Sequence, residues 1–134
     1  MNKDTLSAFL LALLLSAIWT YFNRYEYIGN NIYLFNTINI FPFAMWTLGF
    51  TTLYLLHTHV KALSTITRIT IFYLISICLL EAFGYYVLNI RLNSHYPSLF
   101  GLGIIHAPVH MKVFYVVAGL VFIVLTKILL KKKA

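Results

Sequence analysis

Residues 69–90, ITIFYLISICLLEAFGYYVLNI, decide the fold of this chain. This run of 22 residues is uncharged except at Glu81. As a helix rising about 1.5 Å per residue it would be about 33 Å long, enough to cross a bilayer core of about 30 Å. The run therefore predicts a membrane-spanning helix with Glu81 near the midplane, where an ionised carboxyl is costly and must be protonated or paired.

The whole chain is far more apolar than a soluble protein. Of its 134 residues, 61% are hydrophobic and 10% are charged, and the mean hydropathy is +0.85, whereas about 25% of residues are charged in soluble chains. Every polar stretch is far shorter than the roughly 50 residues that a soluble domain needs. We therefore predict a single membrane domain over residues 1–134, an all-α integral membrane protein built as an antiparallel four-helix transmembrane bundle. The predicted spans cover about residues 5–22, 38–56, 69–90 and 109–130.

The distribution of lysine and arginine predicts the orientation of the bundle. With both termini in the cytoplasm, seven of these residues lie inside and three outside, in agreement with the positive-inside rule. The inside group is Lys3, Lys61, Arg68, Lys127, Lys131, Lys132 and Lys133, and the outside group is Arg24, Arg91 and Lys112. The expected location is the bacterial cytoplasmic membrane. Because these residues lie at segment ends, the formal net charge of +7 indicates contact with anionic lipid and no nucleic-acid partner.

Glu81 is the main candidate for chemistry. Helical spacing places Tyr73 and Tyr85 near its stripe, and Gly84, one turn away, leaves room for another helix or a ligand. Two interpretations are open. As a catalytic residue, Glu81 would carry a proton or orient a ligand. As a structural residue, it would be a protonated hydrogen-bond donor between helices.

A candidate ligand-binding group lies at the outer end of the third span. Arg91 and Lys112 are suited to binding a lipid phosphate, and Tyr73 and Tyr85 are further candidate contacts. The alternative is that the two basic side chains are simple interfacial anchors. The connection that follows, RLNSHYPSLFGLGIIHAP at 91–108, is so apolar that we expect it to lie in the interface or to cap the bundle.

Histidines supply a candidate metal site on the same side of the membrane. His95, His106 and His110 lie in or beside this connection, and Glu26 is suited to completing the ligand set across the outer rim. Pro108 should begin the fourth helix, which takes His106 off its face, and the spacing matches no specific metal motif. Surface or interfacial histidine is the alternative. The sequence identifies no cofactor, and haem is disfavoured because the histidines lie at span ends or in loops.

The sequence leaves three functional hypotheses open, and it does not decide whether the chain is an enzyme. The first is a small polytopic membrane protein that serves as a noncatalytic subunit or lipid-interacting component of a membrane complex. The second is a membrane enzyme or binder for a lipid or isoprenoid, with Glu81 as a buried proton-handling carboxylate. The third is a small proton-coupled transporter. The expected partners are membrane lipids and either a second copy of the chain or another membrane subunit.

Overall fold

Long helices account for most of the structure. The computed structural model describes residues 2–131, and four long helices follow one another within that range. They are α1 (Lys3–Phe22), α2 (Ile40–His59), α3 (Ile66–Tyr86) and α4 (Val109–Lys131). Each is long and apolar enough to cross a membrane. The prediction of a mostly helical chain with four segments of membrane-spanning length is therefore confirmed. Lys132 and Lys133, which contribute to the predicted orientation, lie outside the described residues.

Helix α1 begins at a side-chain cap and packs through small residues. The Asn2 side chain accepts a 2.7 Å hydrogen bond from the Thr5 backbone N–H, which satisfies one of the free donors of the first turn. Small side chains at every fourth position let the backbone of another helix approach closely, and α1 packs mainly against α2. The buried residues at this spacing are Ala8, Ala12, Ser16 and Thr20.

A short hairpin connects α1 to α2. Strands β1 (Tyr33–Leu34) and β2 (Ile38–Asn39) pair antiparallel, and β2 leads directly into the helix. The side chain of Asn39 caps α2 by accepting a 3.1 Å hydrogen bond from the Phe41 N–H. The sequence does not predict this hairpin, because strands of two residues are too short to show an alternating pattern.

Helix α3 is displaced toward the N-terminus relative to the predicted span at 69–90. It begins after Thr65, whose side chain accepts a 3.4 Å hydrogen bond from the Arg68 N–H, and it ends at Tyr86. Asn89 has a φ of 54°, a left-handed conformation that does not continue a right-handed helix. Apolar composition persists beyond the helix end, so hydropathy alone placed that end four residues too late.

Helix α4, like α2, contacts each of the other three helices. On one side its Gly119 faces Tyr73 of α3, where a Cβ atom would lie 2.5 Å from the tyrosine ring. On another side the rings of Phe122 and Phe50 stack with centroids 4.8 Å apart. The missing side chain at Gly119 is therefore what allows α3 to approach α4.

Helix α3 is the least covered of the four. Along its most apolar stretch 11% of the residues are buried, against 22% to 33% for the other helices. Ile69 and Tyr73 are its buried positions, and α3 packs on α4 and less extensively on α2. Its open side carries a row of large apolar side chains, Ile71, Phe72, Ile75, Leu79, Leu80 and Phe83.

Candidate functional site

The α1–α2 and α3–α4 connections meet at one end of the molecule, which we call the capped end. The Ile28 N–H donates to the Arg91 carbonyl at 2.9 Å, and the Asn93 N–H donates to the Glu26 carbonyl at 2.7 Å. An antiparallel bridge lies between these two hydrogen bonds. Segments that are far apart in sequence are thus joined directly over the ends of the helices.

Beneath the capped end, Tyr25 joins three helices through its hydroxyl. This side chain is 1% exposed. Its hydroxyl accepts hydrogen bonds from the indole N–H groups of Trp19 at 2.7 Å and Trp46 at 3.3 Å, and the Tyr115 hydroxyl donates to it at 3.3 Å. Burial raises the pKa of Tyr25, so the phenol keeps its proton at neutral pH. One loop residue therefore connects α1, α2 and α4.

The backbone of Tyr25 is also held in place. Its carbonyl accepts hydrogen bonds from the Tyr33 hydroxyl at 3.2 Å and from the Asn39 side-chain amide at 3.0 Å. The Asn39 amide donates a second bond, at 2.8 Å, to the side chain of Asn31. The hairpin thus positions the aromatic ring below it.

This cluster is not evident from the sequence alone, although one signal points toward it. The chain has two tryptophans, and an indole N–H can only donate. When Trp19 and Trp46 both lie in apolar helices, each needs an acceptor that those helices do not supply. A polar residue of the connecting loop is the nearest source in sequence, and Tyr25 fills that role.

Glu81 lies five residues before the end of α3, about 7.5 Å by helical rise. It is therefore nearer the capped end than the midplane position expected from the sequence. Burial, followed by the charges of Tyr25 and Glu81, raises the pKa of Tyr27 above its ordinary value of 10.0. Glu81 itself is half-buried. Within residues 2–131 its carboxyl makes no hydrogen bond, and the single ion pair there joins Arg24 and Glu26 at 3.2 Å. The carboxyl therefore lies near phenol groups with no partner of its own.

Tyr73 and Tyr85, both predicted near the Glu81 stripe, have different roles. Tyr73 packs against Gly119 and donates a 2.5 Å hydrogen bond to the Tyr115 carbonyl. Tyr85 is twelve residues further along α3, or about 18 Å by helical rise, and lies at the capped end. The two predicted contacts therefore do not share one ligand site.

Tyr85, Arg91 and His106 form a stack at the capped end. The rings of Tyr85 and His106 are nearly parallel, at 13°, with centroids 3.8 Å apart. The Arg91 guanidinium lies 4.4 Å from the Tyr85 ring centroid, and its Nε donates to the Tyr85 carbonyl at 3.4 Å. Burial, followed by the charges of His95, Arg91 and Lys112, lowers the pKa of His106. The imidazole is therefore neutral at pH 7.

Lys112 anchors the apolar part of the α3–α4 connection. Its Nζ donates to the Ser98 carbonyl at 3.2 Å, while the Ser98 hydroxyl accepts from the Gly103 N–H at 3.1 Å. Further along, Ile105 and Ala107 are 2% and 3% exposed. This connection packs into the core at one point and holds Lys112 at the level of the stack.

The structure does not bring the three predicted histidine ligands together as a metal site. His106 is stacked on Tyr85, whereas His95 and His110 are exposed. Among residues 2–131, no group of three His, Cys, Asp or Glu side chains is placed to hold a metal ion. Glu26, the fourth predicted ligand, is paired with Arg24. The separation arises because His106 precedes the start of α4, while His110 lies on the helix.

Among the surface clefts formed by residues 2–131 are two that Glu81 does not line. A cleft of about 240 Å³ between α1 and α4 is lined by Ala8, Leu11 and Leu129 among others. A smaller cleft of about 80 Å³ lies at the capped end beside Arg24 and Glu26. The lining of the first cleft is mostly apolar, and that of the second is more polar.

No family model, no curated protein and no solved structure matches this chain. Its class is therefore defined by its own features. Within residues 2–131 these are four apolar helices of membrane-spanning length, a Glu81 carboxyl that has no hydrogen-bonding partner there, and a basic and aromatic stack at the capped end.

Proposed function

We propose that this chain is an integral membrane protein that serves as a noncatalytic component of a larger membrane assembly. Its four helices form an antiparallel transmembrane bundle in a bacterial cytoplasmic membrane. Both termini lie in the cytoplasm, and the capped end faces the opposite side. Glu81 fixes a polar contact with a helix of another molecule, which is a second copy of the chain or a different subunit, and lipids contact the remaining apolar surface.

The observation that carries this proposal is the Glu81 carboxyl, which has no hydrogen-bonding partner among residues 2–131. A polar group left unsatisfied in hydrocarbon costs several kcal/mol. Because this side chain is half-buried, a group from outside the chain can reach it. A partner helix with a Ser, Thr, Asn, Gln or His side chain at this depth would satisfy the carboxyl.

The surroundings of Glu81 on α3 support the same function. This helix is the least covered of the four, and its neighbours Leu79, Leu80 and Phe83 are more than half exposed. They provide an apolar flank on which another helix can pack. A substrate site would instead call for a cavity that reaches Glu81, and neither described cleft is lined by it.

Native mass spectrometry of the gently extracted protein tests the proposal. We expect the wild-type chain to carry a protein partner at fixed stoichiometry. Glu81→Gln should keep the partner, because an amide can still donate and accept a hydrogen bond. Glu81→Leu should lose it. Glu26→Gln is the matched control, since it removes a carboxylate outside the four helices and should leave the assembly intact.

Two results would contradict the proposal. One is a chain that stays monomeric under every gentle extraction condition. The other is a partner that Glu81→Leu retains as well as the wild type does. A thermal melt of each variant separates loss of assembly from loss of folding.

A membrane enzyme or binder for a lipid or isoprenoid is the second candidate, and one observation favours it. The charge of Glu81 acts on the half-buried Tyr27 phenol, so a polar headgroup beside Glu81 would meet a carboxyl and lie near a phenol. In that case the same spectra would show a bound lipid or isoprenoid that Glu81→Gln loses while assembly is unchanged. No observation favours the transporter, which stays a prediction.

A further inference from the structure

Among residues 2–131, two basic side chains at the capped end have no acidic partner. The chain has three acidic residues. Asp4 is in the first turn of α1, Glu26 pairs with Arg24 at 3.2 Å, and Glu81 makes no ion pair among residues 2–131. The charges of Arg91 and Lys112 are therefore not neutralised by any carboxylate that the structure describes.

The Arg91 guanidinium is held in a fixed orientation, and some of its N–H donors make no hydrogen bond among residues 2–131. One face lies 4.4 Å from the Tyr85 ring centroid, and the other side of that ring is covered by His106 at 3.8 Å. The Nε hydrogen bond to the Tyr85 carbonyl leaves the two terminal amino groups without a partner among residues 2–131. A planar guanidinium in this state is suited to bidentate binding of a phosphate.

Lys112 supplies a second cation at the capped end. Its bond to the Ser98 carbonyl uses one of three ammonium hydrogens, and the other two have no partner among residues 2–131. Both Arg91 and Lys112 lie close enough to His106 for their charges to act on it. The two cations thus lie near one neutral imidazole.

The surface beside these cations is apolar. Val87, Leu88, Val109 and Val113 are each more than half exposed, and they lie at the end of α3 and the start of α4. A basic pair next to open apolar side chains matches a headgroup with acyl chains attached. A free anion has no apolar part that could contact this neighbouring surface.

We infer that Arg91 and Lys112 form a binding site for a phosphate group, carried by an anionic phospholipid whose acyl chains lie along the adjoining valines and leucine. The Tyr85–His106 stack is the support that positions the guanidinium. The site is separate from Glu81 and does not depend on the proposed assembly.

Binding of phosphatidylglycerol to the delipidated, detergent-solubilised full chain tests the inference. The wild type is compared with Arg91→Gln/Lys112→Gln and with the control Lys61→Gln/Arg68→Gln, which removes two basic residues from the α2–α3 turn and the start of α3. Phosphatidylcholine and inorganic phosphate are the comparison probes. We expect the first double variant to weaken phosphatidylglycerol binding roughly tenfold or more, since charged hydrogen bonds are lost, and the control to change it about twofold or less.

The outcomes distinguish a phospholipid from free phosphate as the ligand, or they contradict the proposed site. Tight phosphatidylglycerol binding that inorganic phosphate displaces only weakly supports the lipid. If inorganic phosphate binds as tightly as the lipid, and its affinity also falls in Arg91→Gln/Lys112→Gln, the site binds phosphate but a lipid is not its ligand. Equal behaviour of the two double variants overturns the site. Arg91→Lys retains the positive charge and is a control for misfolding. It should bind phosphatidylglycerol with intermediate affinity.

Discussion

The Tyr25 hydroxyl connects more helices than its position in a loop suggests. It is the acceptor for the two indole N–H groups of the chain, on Trp19 and Trp46, and it also contacts Tyr115. Glu81 was recognisable in the sequence because it is a single carboxylate in an apolar run. Tyr25 was not, because it is one of ten tyrosines and its role arises only when three helices meet around it.

Tyr25→Phe should destabilise the fold. The substitution keeps the ring but leaves two indole N–H groups without an acceptor, at a cost of about 1–3 kcal/mol for each buried group. The free energy of unfolding, measured by titration with a denaturing detergent, should fall by roughly 2 kcal/mol or more. Tyr33→Phe is the control, since its hydroxyl makes one bond to a carbonyl, and it should cost less. Equal effects of the two changes would contradict the role given to Tyr25.

At the scale of elements, hydropathy located all four helices, but it did not predict the residues at which they begin and end. Apolar composition continues past Tyr86, where α3 stops, because the left-handed backbone at Asn89 and not polarity ends the helix. The pairing of α3 with α4 could not be predicted either. It depends on Gly119 facing Tyr73 across two helices, and nothing in either segment marks that match.

Gly119→Ala should separate α3 from α4. The added Cβ would lie 2.5 Å from the Tyr73 ring, so the helices must shift, and overpacking of this kind costs about 1–3 kcal/mol. Gly84→Ala is the matched control on α3, because nothing lies within 4 Å of its added Cβ. It should be neutral or slightly stabilising, since alanine favours a helix by up to about 1 kcal/mol over glycine. Detergent unfolding of both variants measures the difference, and equal destabilisation would exclude this close contact.

For the whole molecule, the sequence predicted the helical class, which is confirmed, and the candidate residues Arg91, Lys112 and Glu81, which stay predictions, but it did not predict how side chains group. Arg91 and Tyr85 lie together in a stack with His106, whereas Tyr73 lies elsewhere, and His95, His106 and His110 do not form a metal-binding group among residues 2–131. The grouping depends on the bridge between two connections at the capped end. Such contacts between distant segments leave no periodic pattern in a single sequence.

The burial of Tyr27 under the capped end should make stability depend on alkaline pH. Burial, with the charges of Tyr25 and Glu81, raises its pKa above 10.0, so the folded phenol keeps its proton where the unfolded one loses it. Its contribution is complete below about pH 10 and is lost as the pH rises further. The free energy of unfolding should therefore fall less steeply above about pH 10 in Tyr27→Phe than in the wild type. Tyr21→Phe, at a site 54% exposed, should follow the wild type, and identical curves for all three would contradict the prediction.

The contact between Tyr25 and Tyr115 also bears on how the chain matures. These residues are 90 positions apart, so Trp19, Tyr25 and Trp46 are synthesised well before Tyr115. The first two helices can pair with each other early, but the hydrogen bonding around Tyr25 stays incomplete until α4 has been synthesised. Folding around Tyr25 is therefore completed only after the fourth helix has formed.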